Sequence, residues 1–226
     1  DPYTLRCAPQ VIGAVLDTLD WHDQVVCREL NAGTDNPVFP PEDVSLTPAL
    51  HGGNFMGQHV ALASDALANA LVVLAGLAER QVARLTDEAL NRGLPAFLHR
   101  GTPGVNSGLM GAQVTATALL AELRARHGAA SAQSISTNAA NQDVVSMGTV
   151  AARQVRQDLH DLGHLHAILA IAVGQAMDLR EIHDTAMPSG STFIGTRSDP
   201  GPESRASFST RARALHAWLR ERSAVL

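Results

Sequence analysis

A long helical pattern fills residues 58–87, whose sequence is Gln-His-Val-Ala-Leu-Ala-Ser-Asp-Ala-Leu-Ala-Asn-Ala-Leu-Val-Val-Leu-Ala-Gly-Leu-Ala-Glu-Arg-Gln-Val-Ala-Arg-Leu-Thr-Asp. Leucine and valine recur there at steps of three and four residues, the spacing of one buried helical face. So many of the positions between them are alanine that neighbouring helices can approach closely. We therefore predict a core helix of a helical bundle.

Two further segments, at about residues 7–30 and 144–181, show the same spacing. Another helix is predicted at about residues 107–127. In the segment at residues 144–181, the side chains expected to face inward are Val150, Val155, Leu159, Leu162, Leu165, Ile168, Leu169 and Ala172. Strand-like alternation of comparable length is absent from the sequence, so the predicted fold class is all-α.

The composition excludes several classes of function. Of 226 residues, 45% are hydrophobic and 17% are charged, which is typical of a globular chain. A net charge of −5 and an aromatic content of 4% argue against a nucleic-acid partner. The longest apolar stretch, residues 165–179, is shorter than the roughly 20 residues of a membrane span. Neither nucleic acid nor a membrane is expected as a partner.

The two cysteines, Cys7 and Cys27, lie in one predicted helix. Their separation along its axis would be about 30 Å, too far for a disulfide within that helix. Unpaired thiols and the lack of a secretory leader favour a reducing compartment, so we expect a cytoplasmic protein.

Four polar islands interrupt the aliphatic pattern. They are Asp1-Pro-Tyr-Thr-Leu-Arg6, Leu30-Asn-Ala-Gly-Thr-Asp-Asn-Pro37, His51-Gly-Gly-Asn-Phe-Met-Gly57 and Ala132-Gln-Ser-Ile-Ser-Thr-Asn-Ala-Ala-Asn-Gln-Asp-Val-Val-Ser-Met-Gly148. An unpaired buried amide costs about 1–3 kcal/mol, so these side chains either face water or line a polar pocket. The islands lie at joints between predicted helices, where binding sites are commonly built.

Each island allows a structural and a functional interpretation. Arg6 can bind a carboxylate through two parallel hydrogen bonds, or lie on the surface like most isolated arginines. Tyr3, the only tyrosine, is either a proton-transfer or hydrogen-bonding group or a packed ring. Asn36 lies in a turn where Asn usually bonds its own backbone. Phe55, beside a Gly-Gly corner, is either a core residue or a ring that faces a substrate.

Other catalytic motifs receive little support. His160, His164 and His166 share a predicted helix, but no acidic residue follows His160 as in a zinc-protease helix, and His166 lies on a different face. We therefore expect no metal. The sequence contains neither a P-loop nor a Gly-x-Ser-x-Gly elbow.

Taken together and in order, the four islands resemble the aromatic amino acid ammonia-lyase family, which includes lyases and related aminomutases. Two more segments carry the resemblance, Leu77-Ala-Glu-Arg-Gln-Val-Ala-Arg-Leu85 and Gly104-Val-Asn-Ser-Gly-Leu-Met-Gly-Ala-Gln-Val-Thr-Ala116. The likeness spans about residues 1–180 and is greatest to bacterial tyrosine ammonia-lyases. It implies a long-helix bundle of the ammonia-lyase/fumarase type, with this chain a fragment of that larger domain.

The resemblance also implies a domain organisation. Residues 1–181 would form the central helical bundle with its active-site loops. Residues 182–226 would form a peripheral tail or partial cap, with a short basic helix at about residues 210–222.

The resemblance assigns a role to each island. Tyr3 would stabilise the electrophilic prosthetic group or the departing amine, Arg6 would hold the substrate carboxylate with help from Asn36, and Phe55 would border the substrate. Asn138 and Gln142 would line the pocket near the prosthetic group and the amine, and Asn141 would contact the substrate. Tyr3 and Gln142 would be the catalytic residues. Histidine-specific members have Glu at the place of Gln142, so a neutral amide there favours tyrosine or phenylalanine.

The prosthetic group of the family, 4-methylidene-imidazol-5-one (MIO), forms from an Ala-Ser-Gly triplet that this sequence lacks. We therefore expect a C-terminal fragment, inactive alone, whose MIO would come from a segment absent from this chain. The expected partners are an aromatic amino acid, the N-terminal portion of the same protein and further copies in a homotetramer.

The expected reaction is elimination of ammonia from L-tyrosine or L-phenylalanine to give coumarate or cinnamate. A tyrosine or phenylalanine 2,3-aminomutase is an alternative that these residues do not separate from a lyase. Gln142 makes a histidine ammonia-lyase less favoured. The missing Ala-Ser-Gly triplet leaves open a non-catalytic helical scaffold.

Overall fold

A computed structural model describes residues 1–44, 47–102, 104–186 and 209–222 of the chain. The helices within these ranges are α1 (Tyr3–Arg6), α2 (Ala8–Leu30), α3 (Gln58–Thr86), α4 (Met110–Arg126), α5 (Gly148–Ala186) and α6 (Thr210–Arg222). Extended pairing in the described residues is limited to the isolated bridges Val38–Leu50 and Thr137–Gln142. The predicted all-α class is confirmed.

The α3 helix follows the predicted pattern closely. It begins at Gln58, directly after Gly57, whose positive φ of 63° turns the chain into the helix. It ends at Thr86, whose hydroxyl donates to the carbonyl of Val82. Its buried apolar side chains are Ala61, Ala63, Leu67, Ala68, Ala70, Leu71, Ala75, Ala78 and Val82. Small alanines therefore form much of the buried face, as the sequence predicts.

The α5 helix departs from the prediction at its start. It begins at Gly148 rather than near residue 144, because Met147 has a positive φ of 57° and the N–H of Val145 donates to the hydroxyl of Ser134. It ends at Ala186, and the basic helix expected at about residues 210–222 is present as α6.

Two side chains of α5 that were expected to face inward do not. Val150 is 40% exposed and Leu159 is 52% exposed. At 3.6 residues per turn, both lie about 90° around the helix from the face that buries Ala151, Leu162 and Leu165. These two predictions are wrong because an apolar stripe on α5 is wider than the face that the described chain covers.

Contacts divide the chain into two compact units. The first unit comprises Asp1–Leu77 and Leu119–His164, and the second comprises Ala78–Ala118 and Leu165–Leu226. Within the second unit, the core cluster contains Leu94, Leu98, Leu109 and Ala172. Residues 187–208 lie outside the described residues, so the boundary expected at residues 181–182 stays a prediction.

In the second unit, polar side chains of α6 contact Asp178 and Gln175 of α5. Asp178 lies 2.5 Å from Nε2 of His216 and 2.6 Å from Nη2 of Arg220. Arg220 also donates to Oε1 of Gln175. These polar contacts hold the basic helix against α5.

Two segments are long and apolar enough to cross a membrane by length and composition alone, Asn54–Thr86 and Gly148–Glu181. A buried core helix meets the same criterion, so the finding is weak evidence for a span. Half of the apolar window in the first segment is already buried within the chain.

Candidate active site

All seven predicted site residues lie in the first unit, and all are exposed. They are Tyr3, Arg6, Asn36, Phe55, Asn138, Asn141 and Gln142. They occupy α1 and the loops between helices, as expected for polar side chains at helix joints.

Tyr3 and Arg6 form one pair on the single turn of α1. The guanidinium carbon of Arg6 lies 4.7 Å from the centroid of the Tyr3 ring, a cation–π contact between positions i and i+3. The Tyr3 side chain is 69% exposed, and no described carboxylate forms an ion pair with Arg6. One face of the guanidinium is therefore oriented by the ring, while its N–H edges stay open to an anion.

The second and third islands are joined into one structure. The N–H of Gly52 donates to Oδ1 of Asn36 at 3.2 Å, and Nδ2 of Asn54 donates to the carbonyl of Gly33 at 3.3 Å. Asn36 thus uses its oxygen for the fold and presents Nδ2 as a donor. Its structural and functional interpretations are compatible.

Phe55 lies on the 3-10 turn Asn54–Met56 and is 57% exposed. It is therefore not part of the core of this chain. The core interpretation is therefore excluded for this chain, and contact of the ring with a substrate stays a prediction. The joined loops place Phe55 in the same substructure as Asn36.

Residues 133–147 form what we call the amide loop. At its base, the N–H of Val145 donates to Oγ of Ser134 at 2.9 Å. At its tip, Thr137 and Gln142 exchange two backbone hydrogen bonds of 3.0 and 3.3 Å. These bonds make one hairpin of the segment that carries Asn138, Asn141 and Gln142.

The tip of the amide loop is conformationally strained. Asn138, Ala139 and Ala140 have positive φ values of 54°, 52° and 64°. Each left-handed residue other than glycine costs about 1 kcal/mol or more, so the tip persists only because its surroundings hold it. Strain of this kind is often found at functional sites. The side chains of Asn138, Asn141 and Gln142 make no hydrogen bond to another described residue, which leaves their amides available to a ligand.

The seven residues thus form three exposed groups: the Tyr3–Arg6 pair, the joined loops with Asn36 and Phe55, and the amide loop. Among the described residues, no hydrogen bond, ion pair or ring contact links one group to another. The described residues thus present three separate groups, and their joint role in one site stays a prediction.

The first unit also contains a charge cluster that the sequence analysis missed. Arg126, at the end of α4, donates to Asp158 and Asp161 on α5. Burial raises the pKa of Asp158 above its usual value, outweighing the opposing effect of Arg126. Burial also acts to raise the pKa of Asp161, but hydrogen bonds from Arg126 and His160 outweigh it, so the pKa of Asp161 is lowered. The sequence signal for this cluster is the pair Asp158 and Asp161, two acidic residues three positions apart in a largely apolar helix.

This cluster borders an open groove of about 700 Å³. Arg153, Arg156 and His160 contribute to its lining. None of the predicted site residues is among the lining residues, so the groove is separate from the three groups. In the part of the chain that the structure describes, no three His, Cys, Asp or Glu side chains form a group that could hold a metal ion. The expected lack of a metal stays a prediction.

Comparison with known proteins identifies the chain's relatives. A tyrosine ammonia-lyase of Cereibacter sphaeroides is 70% identical over 180 residues, which cover 80% of this chain and 34% of the relative. An MIO-dependent tyrosine 2,3-aminomutase of Streptomyces globisporus is 46% identical over 187 residues, covering 82% of this chain and 34% of the relative. The crystal structure of a tyrosine aminomutase from the same organism superimposes with a TM-score of 0.85 at 38% identity, covering all of this chain and 38% of that one.

The chain therefore spans about a third of the length of the relatives it matches. The sequence model of the family described as aromatic amino acid lyase matches residues 1–197. The match includes all three groups of site residues, and it confirms the family expected from the sequence: the chain belongs to the aromatic amino acid lyases.

Proposed function

We propose that this chain contributes the substrate-binding side of an ammonia-lyase that converts L-tyrosine into coumarate and ammonia. The observation that carries the proposal is the open guanidinium of Arg6, oriented by the Tyr3 ring and without an acidic partner in the described residues. Such a group suits the carboxylate of an amino acid. The 70% identity to a tyrosine ammonia-lyase supports tyrosine as the substrate.

The chain's own residues divide the work of binding and orientation. Arg6 binds the substrate carboxylate through two N–H groups, and Nδ2 of Asn36 donates a further hydrogen bond to it. Phe55 packs against the aromatic ring. These contacts fix the substrate so that its amine and β-carbon lie in reactive positions, which is a major source of rate enhancement.

The amine side of the site comprises Tyr3 and the amide loop. The phenol of Tyr3 and the amides of Asn138, Asn141 and Gln142 are exposed polar groups that suit the carbonyl oxygen of an imidazolone and the amine of the substrate. MIO supplies the electrophile that makes the amine a leaving group. Because the chain has no Ala-Ser-Gly triplet, we propose that the group comes from a segment outside this chain and that no metal takes part.

The proposed assembly is a cytoplasmic homotetramer that includes the N-terminal portion of the protein. Ile12, Leu16 and Leu19 support it, because they lie at four- and three-residue steps on α2 and are all at least 43% exposed. Val150 and Leu159 add exposed apolar surface on α5. An apolar stripe of this kind is typical of a helix that packs against another chain or segment.

A hybrid enzyme tests the proposed function. In the Cereibacter relative, the segment that aligns with this chain is replaced by the corresponding residues of this chain. The hybrid and the 226-residue chain are then assayed separately with L-tyrosine, L-phenylalanine and L-histidine by the ultraviolet absorbance of the unsaturated acid. We expect coumarate from the hybrid and no product from the chain alone. A folded hybrid that forms no product from any of the three would contradict the proposal.

A tyrosine 2,3-aminomutase is the second candidate, and the TM-score of 0.85 to such an enzyme favours it. The same hybrid distinguishes the two, because an aminomutase returns the ammonia to the β-carbon and yields β-tyrosine. Chromatography of the products for β-tyrosine therefore accompanies the ultraviolet assay.

Replacing Gln142 with glutamate in the hybrid is expected to shift the substrate preference toward L-histidine. A carboxylate accepts a hydrogen bond from an imidazole N–H, whereas a phenyl ring has no such donor and the phenol of tyrosine carries its donor only at the far end of the ring. We expect the ratio of kcat/KM for histidine over tyrosine to rise by about tenfold, the effect of one hydrogen bond to a charged group. Asp143→Glu is the matched control, since it alters the neighbouring side chain without adding a charge. An unchanged ratio in Gln142→Glu would show that Gln142 does not contact the substrate.

A further inference from the structure

We propose that Asp65 is a positioning residue that fixes the amide loop next to the loop of Phe55. The inference rests on the proposed function for its catalytic consequence, but its structural part concerns contacts within the first unit alone. Asp65 lies on α3, and none of the interpretations above gives it a role.

The Asp65 carboxylate is buried and holds the entrance to the amide loop. Asp65 is only 8% exposed. Oδ1 accepts the N–H of Ala130 at 3.2 Å, and Oδ2 accepts the N–H of Ser131 at 2.8 Å. Both N–H groups begin the 3-10 turn Ala130–Ala132, which has no side-chain cap of its own. Asp65 therefore provides from a distant helix the acceptor that this turn lacks.

The exit of the amide loop rests on the same face of α3. A Cβ built on Gly148 would lie 3.7 Å from Cβ of Ala61 and 3.7 Å from the carbonyl oxygen of Gly57. Ala61 and Asp65 are four residues apart, one turn along α3, so they share one face. Both ends of the amide loop are thus attached to the first two turns of one helix.

The same two turns follow directly on Phe55. The 3-10 turn that carries Phe55 ends at Met56, and α3 begins at Gln58. The start of α3 is therefore a common platform for the ring that borders the substrate and for Gln142. Since the strained tip must be held by its surroundings, loss of the Asp65 attachment should let the amides move relative to Phe55.

Hydrogen exchange of the 226-residue chain tests the attachment without any assay of activity. In Asp65→Asn, the amide retains one acceptor oxygen but presents N–H donors to a backbone N–H. We expect the amides of Ser131, Thr137, Gln142 and Val145 to exchange about tenfold faster or more, because a charge-assisted hydrogen bond is lost.

Glu79→Gln serves as the control, because Glu79 is also a buried carboxylate of α3 but binds Thr117 in the second unit. Exchange of the four amides should be unchanged in this control. If Asp65→Asn leaves the four amides as protected as in the unmodified chain, the proposal is wrong.

Kinetics of the hybrid enzyme test the consequence for catalysis. Asp65→Asn is expected to lower kcat for L-tyrosine about 10- to 100-fold with little change in KM. The variant misplaces Gln142, which lowers turnover, but it leaves the contact between Arg6 and the substrate carboxylate in place. With Gln142→Ala in the same molecule, the two losses should not multiply, since both act through Gln142.

Losses that multiply in the double variant would show that Asp65 does not act through Gln142, and would overturn the catalytic part of the inference. If the hybrid itself makes no product, it is the proposed function that fails. The exchange experiment then still decides whether Asp65 holds the loop.

Discussion

Replacing Arg6 with alanine in the hybrid enzyme is expected to lower kcat/KM for L-tyrosine by roughly 30- to 1,000-fold, the cost of removing one partner of a hydrogen-bonded charge pair. The guanidinium is proposed to bind the substrate carboxylate through two N–H groups, and alanine leaves that carboxylate without a cation. The rate of coumarate formation at several substrate concentrations, followed by ultraviolet absorbance, measures the loss. Circular dichroism should show unchanged helix content, because Arg6 ends a four-residue helix and is exposed.

Two control variants make the Arg6 experiment specific. Arg28 is also an exposed arginine near a helix end, and its Nε donates to the carbonyl of Gln24. Arg28→Ala should retain the activity of the hybrid. Arg6→Lys should fall between the hybrid and Arg6→Ala, because an ammonium preserves the charge but not the paired hydrogen bonds of a guanidinium. Unchanged turnover in Arg6→Ala would remove the carboxylate assignment and, with it, the main support for the proposed substrate class.

The helices were largely predictable from the sequence because apolar periodicity reports directly on helical faces. The Gln58–Thr86 helix was located to within one residue of its predicted end. Periodicity cannot tell which apolar face is covered, and Val150 and Leu159 were misassigned for that reason. The start of α5 was also misplaced, since Met147 takes a left-handed conformation in a loop closed by the distant hydroxyl of Ser134.

The candidate site was predictable only in part, because contacts between residues far apart in sequence leave no local pattern. Asn36, Asn138 and Gln142 stood out because their amides interrupt aliphatic sequence. The support of the site lies elsewhere: Asp65 contacts backbone groups 65 and 66 residues away, and such a contact leaves no local pattern. The link between Asn36 and Gly52 was equally hidden, because either residue alone fits an ordinary turn. The sequence thus identified the exposed amides of the candidate site but not the residues that hold them.

Replacing Asp161 with asparagine is expected to destabilise the chain by about 1–2 kcal/mol near neutral pH, because Arg126 loses a charged acceptor. The loss is no larger because solvent partly screens the charge of Arg126. The pKa of Asp161 is lower in the folded chain than its usual 3.8. Its stabilisation is therefore complete above that usual value and is lost as the pH falls through the folded value. Urea unfolding followed by circular dichroism, repeated from about pH 7 down to about pH 3, should show the cost of Asp161→Asn shrinking with acidity.

Asp158→Asn is the matched comparison, because Asp158 binds the same guanidinium but has a raised pKa. Burial favours its neutral form, so its contribution is complete below the usual value of 3.8 and is lost as the pH rises through the folded value. A neutral amide at this position should therefore cost less than Asp161→Asn near neutral pH. If both variants lost equal stability at every pH, Arg126 would not distinguish the two carboxylates. The opposite pKa shifts of Asp158 and Asp161 would then have no effect on the stability of the fold.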